Sequence, residues 1–68
     1  MKLSQYGDRL GFDGRELHCG DCFQVKDPHT NTWLDVRIEL SGGEWYLVGL
    51  PAALRNRSLL ELEARSYP

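Results

Sequence analysis

The sequence has only two cysteines, which is few for a secreted domain of 68 residues. Small secreted domains usually compensate for a thin hydrophobic core with several disulfides. The opening segment MKLSQYGDRL contains one lysine but lacks the apolar run, about seven residues or longer, that a secretory signal needs. We therefore predict a cytoplasmic protein with reduced thiols.

Long hydrophobic runs and an excess of positive charge are also missing. No stretch approaches the roughly 20 apolar residues of a membrane span, so the sequence predicts no membrane segment. Eight Lys and Arg residues are outnumbered by ten Asp and Glu residues, and the net charge is −2. Proteins that bind a phosphate backbone normally carry a basic excess. The composition therefore does not favour nucleic acid as the main partner.

A chain of this length forms one small domain, which buries only about 60% of its unfolded surface. The hydrophobic content of 41% is nevertheless too high for intrinsic disorder. Such a small core leaves no room for a deep catalytic cleft, and none of the serines is accompanied by a convincing general base. We therefore predict a single domain over residues 1–68 that is not an enzyme and binds no cofactor.

The central element of the predicted fold is a β-hairpin over residues 33–50. Its first arm alternates apolar and polar residues, as a strand with one buried face does. Ser41, Gly42 and Gly43 supply the turn, since glycine reaches positive φ without a Cβ clash. The second arm, EWYLVGL, is apolar on both faces, which predicts a central strand covered on both sides.

The remaining strands are predicted on both sides of this hairpin. Residues 9–12 and 16–17 are expected to pair across an Asp-Gly turn. Residues 22–26 and 59–65 each alternate between a dry and a wet face, and a short helical turn is expected after Pro51. We predict an all-β, five-stranded, mostly antiparallel barrel with that helical turn before the last strand. Its expected core consists of Phe23, Val25, Leu34, Val36, Ile38, Val48, Leu60 and Leu62.

The order of these elements resembles that of the Src-homology-three-like barrels. The resemblance rests on Glu16-Leu17 followed by Gly20-Asp21, on Trp33 four residues before Arg37, on a glycine-containing hairpin and on the late helical turn. It covers almost the whole chain. The sequence also resembles a family of short, uncharacterised bacterial proteins that carry ELHCGD, RIE and WYLVGL segments, and this second resemblance implies no known activity.

The first resemblance implies a partner-binding surface around Trp33. In peptide-binding Src-homology-three domains, an exposed tryptophan at this position forms part of the groove for proline-rich ligands. Acidic residues before the second strand help to bind basic ligand residues in that family, and Glu16 and Asp21 occupy the corresponding region here. The paired tyrosines and the Pro-x-x-Tyr element of those domains are missing, because Ala-Ala-Leu follows Pro51. This departure weakens the case for a polyproline groove.

Strand periodicity independently places Trp33, Asp35 and Arg37 on the polar face of the hairpin's first arm. We therefore expect an adaptor or interaction module that binds a protein or peptide partner. Its expected contacts are these three side chains together with Glu16 and Asp21.

Nucleic acid is an alternative partner, because small barrels of this shape also serve in that role. Arg55 and Arg57 would then act with Arg65, near the end of the chain, as phosphate contacts. The overall negative charge makes this alternative less favoured than a protein partner.

The segment HCGDC has the spacing of a metal or redox motif. A Cys-x-x-Cys turn can place Cys19 and Cys22 on one zinc ion, and His18 and His29 would complete four ligands. Adjacent His18 and Cys19, however, point to opposite sides of an extended chain, and no helix follows Cys22 to activate a thiol. The favoured interpretation is two small structural residues beside a tight turn, with a zinc-stabilised domain and a redox pair as alternatives.

Overall fold

The computed structural model describes residues 1–67 and consists of two antiparallel β-sheets. The strands are β1 (Ser4–Tyr6), β2 (Arg9–Phe12), β3 (Arg15–Glu16), β4 (Cys22–Lys26), β5 (Trp33–Ser41), β6 (Glu44–Val48) and β7 (Ala64–Arg65). Two short 3-10 helices, Ala52–Leu54 and Leu59–Glu61, lie between β6 and β7. The first sheet has the order β1-β2-β3 and the second the order β6-β5-β4-β7. The predicted domain range extends to Pro68, which lies outside the described residues.

The prediction of an all-β, antiparallel fold is confirmed, whereas the prediction of a five-stranded barrel is wrong. The described residues form seven strands, and the two sheets do not close into a barrel. Gly7 has a φ of 64°, and Asp13 and Gly14 have φ values of 53° and 74°. These left-handed turns return the chain at once onto the preceding strand. The first three strands therefore form a sheet of their own instead of completing a barrel.

The prediction that the second arm of the central hairpin is a central strand is also wrong. This arm is β6, which lies at one edge of the four-stranded sheet, while β5 and β4 occupy its centre. Leu47 is buried on the inner face of β6, but Tyr46 and Val48 are 45% and 40% exposed on the other face. Val48 is therefore not a core residue, and the apolar outer face of β6 stays uncovered.

The prediction of a last strand over residues 59–65 is correct only for its final two residues. Leu59–Glu61 instead form a 3-10 helix, in which the N-cap Ser58 hydroxyl accepts a hydrogen bond from the Leu60 N–H at 3.3 Å. This turn directs Leu60 outward, where its side chain is 42% exposed. Leu60 therefore does not belong to the core. The short helical turn predicted after Pro51 is confirmed, since Ala52–Leu54 form a 3-10 helix.

One hydrophobic core joins the two sheets. The ring of Phe12 in β2 packs against that of Phe23 in β4, with the ring centroids 5.5 Å apart. The prediction is confirmed for the buried residues Phe23, Val25, Val36, Ile38 and Leu62. Leu34 packs partly buried against the same cluster. The core also takes in residues from β2, the first 3-10 helix and the segments next to strands: Leu3, Leu10, Leu17, Leu50 and Leu54.

Candidate protein-binding face

Trp33, Asp35 and Arg37 lie on the outer side of β5, since the intervening Val36 is buried on the inner side. The register with β4 gives each of them a direct neighbour. Trp33 lies opposite Lys26, Asp35 opposite Gln24 and Arg37 opposite Cys22. Because residues directly opposite in a sheet share a face, these six side chains form one outward surface.

The Trp33 indole packs against two cationic side chains. The guanidinium carbon of Arg65 lies 4.1 Å from the ring centroid, and the Lys26 ammonium nitrogen lies 5.8 Å from it. Both distances are within the range in which a cation is attracted to the face of an aromatic ring. Arg65 reaches the indole because β7 pairs with β4 and places Arg65 opposite Gln24. The indole is thereby held in one orientation while it remains partly exposed.

Gln24 connects Arg65 to Asp35 through its side-chain amide. Its Nε2 donates to Asp35 Oδ1 at 2.8 Å, and its Oε1 accepts from Arg65 Nε at 2.8 Å. Further along β5, Arg37 Nε donates to Glu39 Oε2 at 2.8 Å. Exposed pairs of this kind contribute at most about 1 kcal/mol to stability. Their main effect is therefore to fix the orientation of the side chains on this face.

Tyr67 also belongs to this surface, although the sequence did not single it out. Desolvation raises the pKa of Tyr67 above its ordinary value of 10.0, and the charges of nearby Asp35 and Cys22 raise the pKa further. No sequence signal identified Tyr67, because β7 ends at Arg65 and strand alternation does not extend to this residue. We define the Trp33 face by its members Trp33, Gln24, Lys26, Asp35, Arg37, Arg65 and Tyr67.

Glu16 and Asp21, the two acidic residues expected to act with Trp33, do not lie beside it. Glu16 lies in β3, where it pairs with Gly11 in the other sheet. The Asp21 carboxylate accepts a hydrogen bond from the His18 N–H at 2.8 Å, and the Asp21 carbonyl accepts one from the Ile38 N–H at 3.0 Å. Asp21 therefore fixes the turn that leads into β4. The structure thus brings Trp33, Asp35 and Arg37 together without Glu16 or the Asp21 side chain.

The three arginines considered for nucleic acid lie at two different edges of the sheet. Arg55 and Arg57 line a groove along β6, whereas Arg65 belongs to β7 at the opposite edge. Three strand spacings of about 4.8 Å, or roughly 14 Å, separate these edges. The three guanidinium groups therefore do not form one continuous row.

The four candidate zinc ligands are divided between the two ends of β4. Cys22 begins this strand and His29 lies beyond its other end, so roughly 13 Å of extended chain separates them. Cys19 and Cys22 are exposed free thiols. Within residues 1–67, no group of three or more His, Cys, Asp or Glu side chains is arranged to hold a metal ion.

His29 instead interacts with Asp27. Among residues 1–67, Asp27 is the buried residue that carries a charge, and it is 9% exposed. The Asp27 carboxylate accepts a hydrogen bond from the His29 N–H at 2.8 Å, and its Oδ1 lies 3.4 Å from His29 Nδ1. The hydrogen bond from the His29 backbone holds the pKa of Asp27 below its ordinary value of 3.8, although burial opposes this shift. The backbone N–H of Asp27 also donates to the Thr32 carbonyl at 2.8 Å. Asp27 therefore organises the loop between β4 and β5.

Residues 1–65 match DUF5348, a domain of unknown function. The chain belongs to the DUF5348 family. This agrees with the resemblance to short, uncharacterised proteins, and the DUF5348 description assigns no activity. Comparison with curated proteins and with solved structures found no significant match. Within residues 1–67, neither 3-10 helix has the length or the apolar character to cross a membrane.

Proposed function

We propose that this DUF5348 domain is a non-enzymatic interaction module that binds a protein or peptide partner through the Trp33 face. The composition of that face carries the proposal, because Trp33, Arg37 and Arg65 share one side of the sheet. Trp, Tyr and Arg are the residue types most enriched among the energetic hot spots of protein interfaces.

The order of the Trp33 side chain before binding also supports the proposal. The Arg65 guanidinium stacks on the indole, and the Gln24 amide in turn holds Arg65. Immobilising a free side chain at an interface costs about 0.5–1.5 kcal/mol. Since Trp33 is restricted in the unbound protein, part of this cost is removed. A partly exposed indole in a fixed orientation is well suited to anchor a partner.

The resemblance of the element order to Src-homology-three-like barrels is the reason to include extended peptides among the proposed partners. The same proposal places the domain in the cytoplasm, where exposed free thiols such as those of Cys19 and Cys22 remain reduced.

A pull-down from a lysate of the source cell tests the proposal. The baits are the parent protein, Trp33→Ala and the matched control Leu60→Ala, which truncates an exposed apolar residue outside the Trp33 face. We expect quantitative mass spectrometry to find a protein that is enriched by the parent and by Leu60→Ala but lost with Trp33→Ala. A partner that all three baits retain equally would contradict a role for Trp33.

Nucleic acid is the second candidate, because an aromatic ring beside two cations can also stack a base of a single strand. Fluorescence anisotropy with labelled single-stranded DNA and RNA at low salt tests it. We expect no binding to either polymer. Binding that weakens steeply with salt and is reduced by Arg65→Gln would instead assign the Trp33 face to nucleic acid.

A further inference from the structure

The open edge of β6 exposes backbone groups that have no partner strand. Ile38 in β5 lies opposite Leu47 in β6. The Ile38 N–H donates to the Asp21 carbonyl at 3.0 Å, and the Ile38 carbonyl accepts from the Gly20 N–H at 2.8 Å. Because both polar groups of Ile38 point away from β6, Ile38 and Leu47 form a non-hydrogen-bonded pair. The N–H and C=O of Leu47 therefore point away from β5, toward the open edge.

Trp45, two residues before Leu47, directs its backbone groups the same way. Apart from strand pairing, the backbone groups of Trp45 and Leu47 form no hydrogen bond with any other backbone group of residues 1–67. The strand EWYLV contains no Pro, Lys or bulge to discourage pairing, whereas β7 at the other edge has only two residues. The β6 edge is therefore open to another strand.

The groove along this edge carries opposite charges at its two ends. It has a volume of about 590 Å³, and Leu50 and Leu59 supply apolar walls. Arg55 Nε donates to the Leu50 carbonyl at 3.4 Å, which places Arg55 near the C-terminal end of β6. Arg57 lines the same groove, while Glu44 begins β6 at the other end.

We propose that β6 pairs antiparallel with β6 of a second copy of this chain, so that the two four-stranded sheets become continuous. In the proposed register Tyr46 lies on the two-fold axis, opposite Tyr46 of the second copy. Trp45 of each copy then lies opposite Leu47 of the other, and these two pairs exchange four backbone hydrogen bonds.

Charge complementarity selects a second copy over an unrelated peptide. Antiparallel pairing about Tyr46 brings Glu44 of one copy opposite Val48 of the other, at the end of the groove near Arg55. The two-fold axis repeats this contact at the other end. Such self-complementarity is what an isologous interface requires.

Pairing of this kind also accounts for the composition of β6. Its residues are apolar on both faces, yet Tyr46 and Val48 remain exposed in a single copy. Directly opposite residues of an antiparallel pair have Cβ atoms about 4.5–5.5 Å apart, so the two Tyr46 rings would cover each other. The inference rests on β6 and the groove along it and does not depend on the proposed function. Because the two-fold axis is perpendicular to the sheet, both Trp33 faces would lie on the same side of the pair.

Sedimentation equilibrium at concentrations up to about 1 mM tests the pairing. We expect a monomer–dimer equilibrium for the parent and for the control Ser4→Lys, which adds the same charge at an exposed site in β1 of the other sheet. Tyr46→Lys places two ammonium groups at the two-fold axis and should lower the association constant by about tenfold or more. Circular dichroism of each variant establishes that it is folded. Association that Tyr46→Lys leaves unchanged would overturn the proposal.

Thiol cross-linking tests the register in a Cys19→Ser, Cys22→Ser background. Tyr46→Cys should give a disulfide-linked dimer under mild oxidation, since its mate lies directly across the axis. Glu39→Cys is the matched control, because Glu39 lies opposite Tyr46 on the same face but one strand further from the edge. Equal cross-linking of both variants would contradict the register. A parent that stays monomeric at every concentration would overturn the proposal. If the Trp45 and Leu47 amides were then protected from hydrogen exchange only when another protein is added, the edge would belong to a different partner.

Discussion

The Arg65 guanidinium stacks on the Trp33 indole across β4, with 4.1 Å between its central carbon and the ring centroid. Trp33 lies opposite Lys26 on one side of β4, and Arg65 lies opposite Gln24 on the other side. The contact therefore depends on the antiparallel pairing of β4 with both β5 and β7. This long-range contact holds the partly exposed Trp33 side chain in one orientation.

Ile38 is the first position at which the fold can be tested. It is fully buried in a central strand, so Ile38→Ala should lower the free energy of unfolding by about 2–5 kcal/mol. This is a large part of the roughly 5–15 kcal/mol that stabilises a typical domain. Urea denaturation followed by circular dichroism measures the change. The free energy of unfolding of Leu60→Ala should lie within about 0.5 kcal/mol of that of the parent, since Leu60 is exposed. An equally small loss for Ile38→Ala would show that Ile38 is not in the core.

Gly49 follows β6 directly, and its backbone passes close to β5. Substitution of Gly49 tests this close approach. Its φ is +106°, and a Cβ added there would lie 2.6 Å from the Asp35 carbonyl oxygen. Gly43 also has a positive φ, of +80°, but its added Cβ would meet no atom within 4 Å. Gly43→Ala should therefore cost only the backbone strain, about 1–2 kcal/mol. Gly49→Ala should cost about 1–3 kcal/mol more because of the clash. Equal losses in urea denaturation would contradict the close approach.

The sequence predicted the faces of β4 and β5 because alternation is a local property. Phe23, Val25, Val36 and Ile38 follow the two-residue period, and all four are buried. The position of a strand within a sheet depends instead on which distant strands pair with it. The apolar residues on both faces of β6 therefore predict a central strand, although β6 lies at an edge of the sheet.

The site was predictable only in part for the same reason. Periodicity placed Trp33, Asp35 and Arg37 on one polar face, and the structure puts them there together. The contact of Arg65 with Trp33 depends on the register between β4 and β7. The alternating pattern of residues 59–65 instead predicted one long strand, so this register was not predicted. Ser58, just before that segment, caps a 3-10 helix, and this local hydrogen bond competes with an extended conformation.

Asp27 provides a test of the loop between β4 and β5. The hydrogen bond from the His29 N–H lowers the pKa of its carboxyl, so we expect an NMR titration of Asp27 to give a value below 3.8. A lowered folded-state pKa stabilises the protein above the unfolded value, and this contribution is lost as the pH falls through the folded pKa. Asp27→Asn keeps an acceptor for the His29 N–H but removes the charge, and so should reduce the loss of stability below about pH 4. A titration midpoint above 3.8 would contradict this role for the carboxylate.

Metal removal tests the interpretation of Cys19 and Cys22 as structural residues. A structural zinc ion contributes on the order of 10 kcal/mol to a small domain, so a zinc-dependent fold would collapse in a chelator. We expect the β-sheet circular dichroism and the melting temperature to be unchanged in excess EDTA. Changing both cysteines to serine should cost little, because both thiols are exposed. Stoichiometric zinc in the purified protein, together with unfolding on chelation, would contradict this interpretation and favour the zinc alternative.

The affinity of the purified partner for Trp33→Ala is the most direct test of the Trp33 face as a binding surface. The partner is the protein that the pull-down identifies, and isothermal titration calorimetry measures its Kd. Removal of an aromatic anchor at the centre of an interface typically costs 2 kcal/mol or more, so we predict that Kd rises by about 30-fold or more. Leu60→Ala should leave Kd within about twofold, since Leu60 lies outside the Trp33 face. A folded Trp33→Ala protein that binds as tightly as the parent would contradict the proposed function.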